Sequence, residues 1–299
     1  MHKLIIQVRL NESTKRDVSP HVPYSPTEIA DQAIECWRAG ASIVHYHARD
    51  PVTGAKASDV DLHADVVRRI KKECDLITFP TLGAALLPDP ADRMSHIVEM
   101  AANPATHPDL IPVDMLSSNM DWYDAQRRQF IGSGDQVYLN TTNTLRYLCE
   151  NARAVGVKPV SMLWNVASIR LTEAFIDLGI YDTPLLCELP LFGDHMRAYG
   201  TPATIKGLYS LYEFMPRDQK WNWMANALGV NAFPVIAAAI ELGGHAVIGV
   251  ADYPYRELGY PTNAQLVANV AEMARYMGRE VATPAEAREM LGLGSHHGT

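Results

Sequence analysis

Short apolar runs alternate along the chain with segments whose apolar positions recur at helical spacing. The runs are LIIQVRL (4–10), SIVHYHA (42–48), LITFPTL (76–82), LIPVDML (110–116), KPVSMLWN (158–165), LLCELPL (185–191), WNWMANA (221–227) and HAVIGVA (245–251). Each has strand length and little polar alternation, as expected of strands buried on both faces. Amphipathic segments follow them. The first opens with Ser25-Pro26-Thr27-Glu28, a capping box with proline at the first helical position, and closes at Gly40. Others are predicted near 59–73, 90–102, 143–156, 168–179, 202–214, 231–242 and 262–278. QVYLNTT (136–142) is a further extended segment, read as an excursion after the fourth strand.

Alternating strands and helices predict a parallel α/β sheet. Eight such units over most of 299 residues predict a (β/α)8 TIM barrel. A doubly wound open sheet is the rival, but no Gly-x-Gly-x-x-Gly follows the first strand and there is no Walker phosphate loop. No linker or change of composition divides the chain, so residues 1–299 read as a single barrel domain with a C-terminal helical extension. That extension, TPAEAREML (283–291), starts with a second capping box, Thr283 to Glu286. The closing GSHHGT, with two histidines, reads as a frayed tail.

Composition adds exclusions. With 26 basic and 34 acidic side chains the net charge is −8, which argues against a nucleic-acid partner. No apolar run has the length of a membrane span, and the N-terminal apolar stretch is too short for a secretory signal. Cys36, Cys74, Cys149 and Cys187 stand far apart with no Cys-x-x-Cys pair, a pattern of reduced, buried thiols in a cytoplasmic protein.

The local chemistry centres on His45 and His47 in the second strand. Alternation turns both side chains to one face, roughly 6.5–7 Å apart at the Cα atoms. Two imidazoles at that spacing can converge on one metal ion, or stand as two hydrogen-bonded histidines at a polar barrel mouth. The loop behind them carries Arg49, whose planar fork could clamp a substrate carboxylate or pair with Asp50. Glu188 lies inside an apolar strand, where a carboxylate needs a partner. It can face the barrel interior near the mouth and meet substrate, or close a salt bridge.

HYHARDPVTG (45–54) resembles the His-x-His-x-Arg-Asp-Pro-x-Thr-Gly segment of the β-keto acid cleavage enzymes. The stretch SPTEIADQAIECWRAGASIVH, the loop GTPAT (200–204), and GGHAVIG (243–249), PTNAQLV (261–267) and GREVATPAEAREMLGL (278–293) extend the resemblance over nearly the whole chain. It implies a (β/α)8 barrel with zinc, or another divalent metal, at its mouth. It implies a reaction of a small β-keto acid with acetyl-CoA as co-substrate, giving acetoacetate and a new acyl-CoA, in a homo-oligomer. It also implies residue roles: His45 and His47 as metal ligands, Glu12 as a substrate-facing glutamate, Thr81 as the hydroxyl after the third strand, and Asp252 as the proton-handling aspartate.

Two positions depart from that pattern. The eighth strand reads GGHAVIGVAD where the family reads GGHVRVGLED. Ala251 therefore stands where the family has its metal-completing glutamate, and Val247 where it has an arginine. Three accounts of the metal follow: a third ligand from elsewhere (His195 first, then Asp252 or Glu188), water in the vacancy, or no metal. The departures predict a less charged site and a neutral or hydrophobic keto acid. The alternatives are a metal-dependent barrel hydrolase and a catalytically altered barrel that binds keto acids or CoA esters.

Overall fold

The computed structural model describes residues 2–82, 87–217 and 220–294. The eight expected strands form one parallel sheet: β1 (Ile6–Arg9), β2 (Ile43–Tyr46), β3 (Ile77–Pro80), β4 (Leu110–Asp114), β9 (Lys158–Met162), β10 (Leu185–Phe192), β11 (Trp221–Leu228) and β12 (His245–Ile248). Their spatial order is β3-β2-β1-β12-β11-β10-β9-β4. The two end strands meet across the remaining seam, where Asp109 N–H donates to Thr78 O at 3.1 Å and the Asp109 carboxylate accepts from Thr78 N–H at 2.8 Å. The sheet thus closes almost completely into a (β/α)8 barrel.

The strands are ringed by α1 (Pro26–Ala39), α2 (Val60–Glu73), α3 (Pro90–Ala101), α4 (Thr142–Ala154), α5 (Val166–Asp177), α6 (Ile205–Tyr212), α7 (Phe233–Glu241) and α8 (Asn263–Tyr276). Ser25 and Glu28 form the expected capping box, and Gly40 ends α1 at φ +115°. Thr283 and Glu286 form the second box, at the start of α9 (Pro284–Leu291). The excursion after β4 holds four short strands, β5 (Ser118–Asn119), β6 (Trp122–Asp124), β7 (Gln129–Ile131) and β8 (Val137–Tyr138), paired β5–β8 and β6–β7. The tail histidines lie outside the described residues. The four cysteines are free, three buried and Cys74 half-buried. Among the described residues no helix is long and apolar enough to cross a membrane.

The apolar residues form two separate clusters, and this division positions the site. One fills the space between sheet and helices, with Val8 and Val44 of the strands facing Ile29, Val67 and Ile97. The other fills the barrel. Ile5, Ile43, Ile77, Leu110, Val160, Leu186, Met224 and Val247 contribute one side chain per strand to it. Strand side chains alternate, so residues two and four places further along share that interior. On β1 these are Gln7 and Arg9, on β2 and just past its end His45 and His47, on β4 Asp114, on β10 Glu188 and on β11 Asn226. The barrel is apolar at its floor and polar toward the C-terminal ends of its strands, the end where barrel enzymes build their sites.

Candidate metal centre

Glu12, His45 and His47 form the group that could hold a metal ion among the described residues, with ligand atoms all within 4.8 Å of one another. His45 stands in register with Arg9 across the β1–β2 pairing. Glu12 comes from the turn after β1 and has the left-handed φ of +38°. Neighbouring groups hold that turn. Arg49 donates through one terminal nitrogen to the carbonyls of Asn11 and Glu12, and through the other to Gly54 O at 3.0 Å. Asn11 in turn exchanges two hydrogen bonds with the His47 backbone, at 2.9 Å each. The turn is thereby tied to the end of β2, which brings Glu12 Oε1 to 3.1 Å from His45 Nε2 and Oε2 to 2.8 Å from His47 Nε2.

The protonation pattern suits a cation. His45 Nδ1 lies 2.8 Å from Phe79 O, a carbonyl that can only accept, so Nδ1 carries hydrogen and Nε2 faces the carboxylate. Burial pushes His47 down to about 4 despite the attraction of Glu12, so it is neutral near pH 7. Burial works against the charge on Glu12, but Arg9 and the two histidines outweigh it and hold the carboxyl well below its usual range. Glu12 Oε1 touches Arg9 and His45 yet receives no well-aligned hydrogen bond. A carboxylate whose two oxygens each face an imidazole nitrogen, one of them incompletely satisfied, is a donor set that fits a divalent ion.

Arg9 pairs with Glu12 on one side and, at 3.1 Å, with Asp252 Oδ1 on the other. Asp252 Oδ2 accepts from Asn226 Nδ2 at 3.4 Å. Burial raises the Asp252 carboxyl to about 6, against the pull of Arg9. Deeper in the barrel Gln7 donates to Glu188 at 2.6 Å. Across the mouth Asp114 accepts from Tyr138 O–H and Trp164 Nε1, each at 2.8 Å, and burial raises its pKa.

The expected residues are thus distributed unevenly. His45, His47 and Glu12 meet, and Asp252 joins them through Arg9. Glu12 faces the imidazoles, where the resemblance had it facing substrate. His195 does not join the group: its ring stacks on Trp122 at 5.1 Å, drawn there by the excursion after β4. Arg49 is 1% exposed and clamps backbone carbonyls, so its terminal nitrogens are not turned toward a substrate. Glu188 is fully buried against Gln7. Thr81 follows β3 and is half-buried, its N–H donating to Tyr46 O at 3.1 Å and its carbonyl 2.9 Å from His96 Nε2. Besides the residues expected, Arg9 brings a guanidinium from β1 into the site. Sequence reasoning missed Arg9, Asn226 and Asp114. Arg9 carried a signal, since Gln7 and Arg9 are the polar positions of one strand face.

The barrel thus carries a metal-capable triad at its mouth beside a buried arginine–aspartate pair. The beta-keto acid cleavage enzyme model matches residues 3–293, and the chain belongs to that family. It is 28% identical over 298 residues to the 3-keto-5-aminohexanoate cleavage enzyme of Fusobacterium nucleatum, covering 98% of this chain and 99% of that one. It is 29% identical over 290 residues to the 3-dehydrocarnitine:acetyl-CoA trimethylamine transferase of Rhizobium meliloti, covering 92% and 91%. Among solved structures, apo ObcA superposes with a TM-score of 0.71 at 18% identity, over 92% of this chain and 66% of ObcA, and shares the fold. This chain spans about two thirds of ObcA's length.

Proposed function

We propose that the protein transfers an acyl group between a β-keto acid and acetyl-CoA, giving acetoacetate and the acyl-CoA of the remaining chain. The carrying observation is the convergence of Glu12, His45 and His47 beside the Arg9–Asp252 pair. These three residues would hold a divalent ion such as zinc, whose Lewis acidity favours ionisation next to the ketone of a bound keto acid. The other steps fall to the chain itself. Asp252 takes a proton from the carbon between ketone and carboxylate. Its raised pKa makes it a stronger base than an ordinary aspartate while leaving it mostly ionised near pH 7. The resulting carbanion forms a bond to the thioester carbon of acetyl-CoA and expels the CoA thiolate. That thiolate attacks the original ketone carbon, the bond to the carboxylate-bearing carbon breaks, and the electron pair left behind is reprotonated as acetoacetate. Arg9 and Asn226 hold Asp252 throughout, and the Thr81 hydroxyl is a hydrogen-bond partner for substrate oxygen.

Family membership and the free cysteines support a cytoplasmic enzyme that assembles from copies of itself. The test is a panel of β-keto acids with acetyl-CoA and zinc-loaded protein, scored for acetoacetate. At least one acid is expected to yield it. Failure of the whole panel, under every metal condition, sinks the reading.

A further inference from the structure

Arg9 is more than 90% buried, and its two terminal nitrogens reach carboxylates from opposite ends of the chain. One meets Glu12, in the turn after β1, and the other meets Asp252, in the loop after β12. Its position makes this possible. On one side Arg9 stands in register with His45. On the other, the residue after β12 is Gly249, whose missing side chain lets the two backbones touch: a Cβ there would lie 1.9 Å from Arg9 O. The guanidinium lies across the barrel mouth from the metal-capable triad to the aspartate.

We propose that Arg9 is a positioning residue that fixes Asp252 and Glu12 relative to one another, so that the carboxylate serving the metal and the carboxylate serving as base are set by one rigid fork. The proposal rests on the function argued above. A planar guanidinium can hold two carboxylates at once in a fixed geometry, whereas a lysine ammonium is a single point charge on a flexible stem. Four carboxylates, Asp252, Glu12, Glu188 and Asp114, all contribute to the field at Arg9 and keep it charged against the cost of burial. The remaining nitrogen, Nε, has no hydrogen-bond partner among the described residues, so the terminal pair carries the contacts.

Three quantities test the bridge in full-length protein. The first is zinc affinity, measured by titration against a competing chelator. The second is exchange of the keto acid's α-protons for deuterium in heavy water with saturating zinc and without acetyl-CoA, which reads proton abstraction apart from acyl transfer. The third is kcat against the KM for acetyl-CoA. In Arg9→Ala, zinc affinity is expected to fall roughly 10–100-fold, the usual effect of losing a group that orients a ligand. Deuterium exchange and kcat should fall together by at least about tenfold, with the KM for acetyl-CoA within about twofold of wild type. Guanidinium ion at sub-denaturing concentration should restore exchange in Arg9→Ala but not in the wild type. Arg9→Lys keeps the charge and serves if the alanine variant does not fold. It should recover only a small part of the loss. An Arg9→Lys protein with wild-type zinc affinity and wild-type exchange overturns the bridge. A wild-type protein that neither binds zinc nor exchanges the proton overturns the proposed function itself, and the bridge falls with it.

Discussion

Replacing Gly249 by alanine tests how β12 lies against β1. The added Cβ would sit 1.9 Å from Arg9 O, 2.7 Å from Arg9 C and 3.0 Å from Arg9 N, all backbone atoms of a fully paired strand. Ordinary contact begins at 3.4 Å, so the two strands must part by about 1.5 Å. Overpacking costs ~1–3 kcal/mol even where side chains can yield, and here only main chain is available, which puts the cost near ~3 kcal/mol. At ~2 °C per kcal/mol for a chain of this size, the melting temperature should fall by roughly 6 °C. The displacement acts on the segment that carries Arg9 and on the loop that carries Asp252. Misplacing catalytic groups by about an ångström costs on the order of 100-fold in rate. Differential scanning calorimetry and steady-state kinetics with the best keto acid of the panel would measure both. A Gly249→Ala protein that melts with the wild type and keeps kcat within about twofold would refute the close approach of these strands and the geometry built on it.

Other outcomes follow from the same contacts. Because burial raises Asp252 to about 6 and the base must be ionised, kcat should fall about tenfold per pH unit below that value, and Asp252→Asn should lose both the limb and most of the rate. Arg49→Lys removes the fork that holds the carbonyls of Asn11 and Glu12 and should weaken zinc binding roughly 10–100-fold, although Arg49 touches no ligand atom. A zinc titration showing unchanged affinity in that variant would mean the Glu12 turn holds its shape unaided.

Most of the fold was legible because parallel barrel strands are buried on both faces and read as continuous apolar runs, and because Ser25–Glu28 and Thr283–Glu286 mark helix starts with local chemistry. The His45–His47 pair was legible for a similar reason, since strand alternation alone puts both on one face. Glu12 was harder. Its side chain leaves a turn at positive φ, and that turn keeps its shape through Arg49 and Asn11, contacts that exist only once β1 and β2 are paired. Arg9 and Glu12 meet at the barrel mouth only once β1 is paired between β2 and β12, so no local pattern announces their contact. His195 looked available because a loop histidine carries no sign of the ring it will stack on, here Trp122 from a distant hairpin.

The most direct measurement is the zinc content of purified, untagged protein after zinc loading, taken for the wild type, the His45→Ala/His47→Ala double variant, Glu12→Gln and His195→Ala. The account predicts about one zinc per chain in the wild type and in His195→Ala, and its loss from the double variant and from Glu12→Gln. Zinc retained in Glu12→Gln but lost in His195→Ala would contradict the triad, and a wild type that takes up no zinc at all would contradict metal chemistry at this barrel mouth.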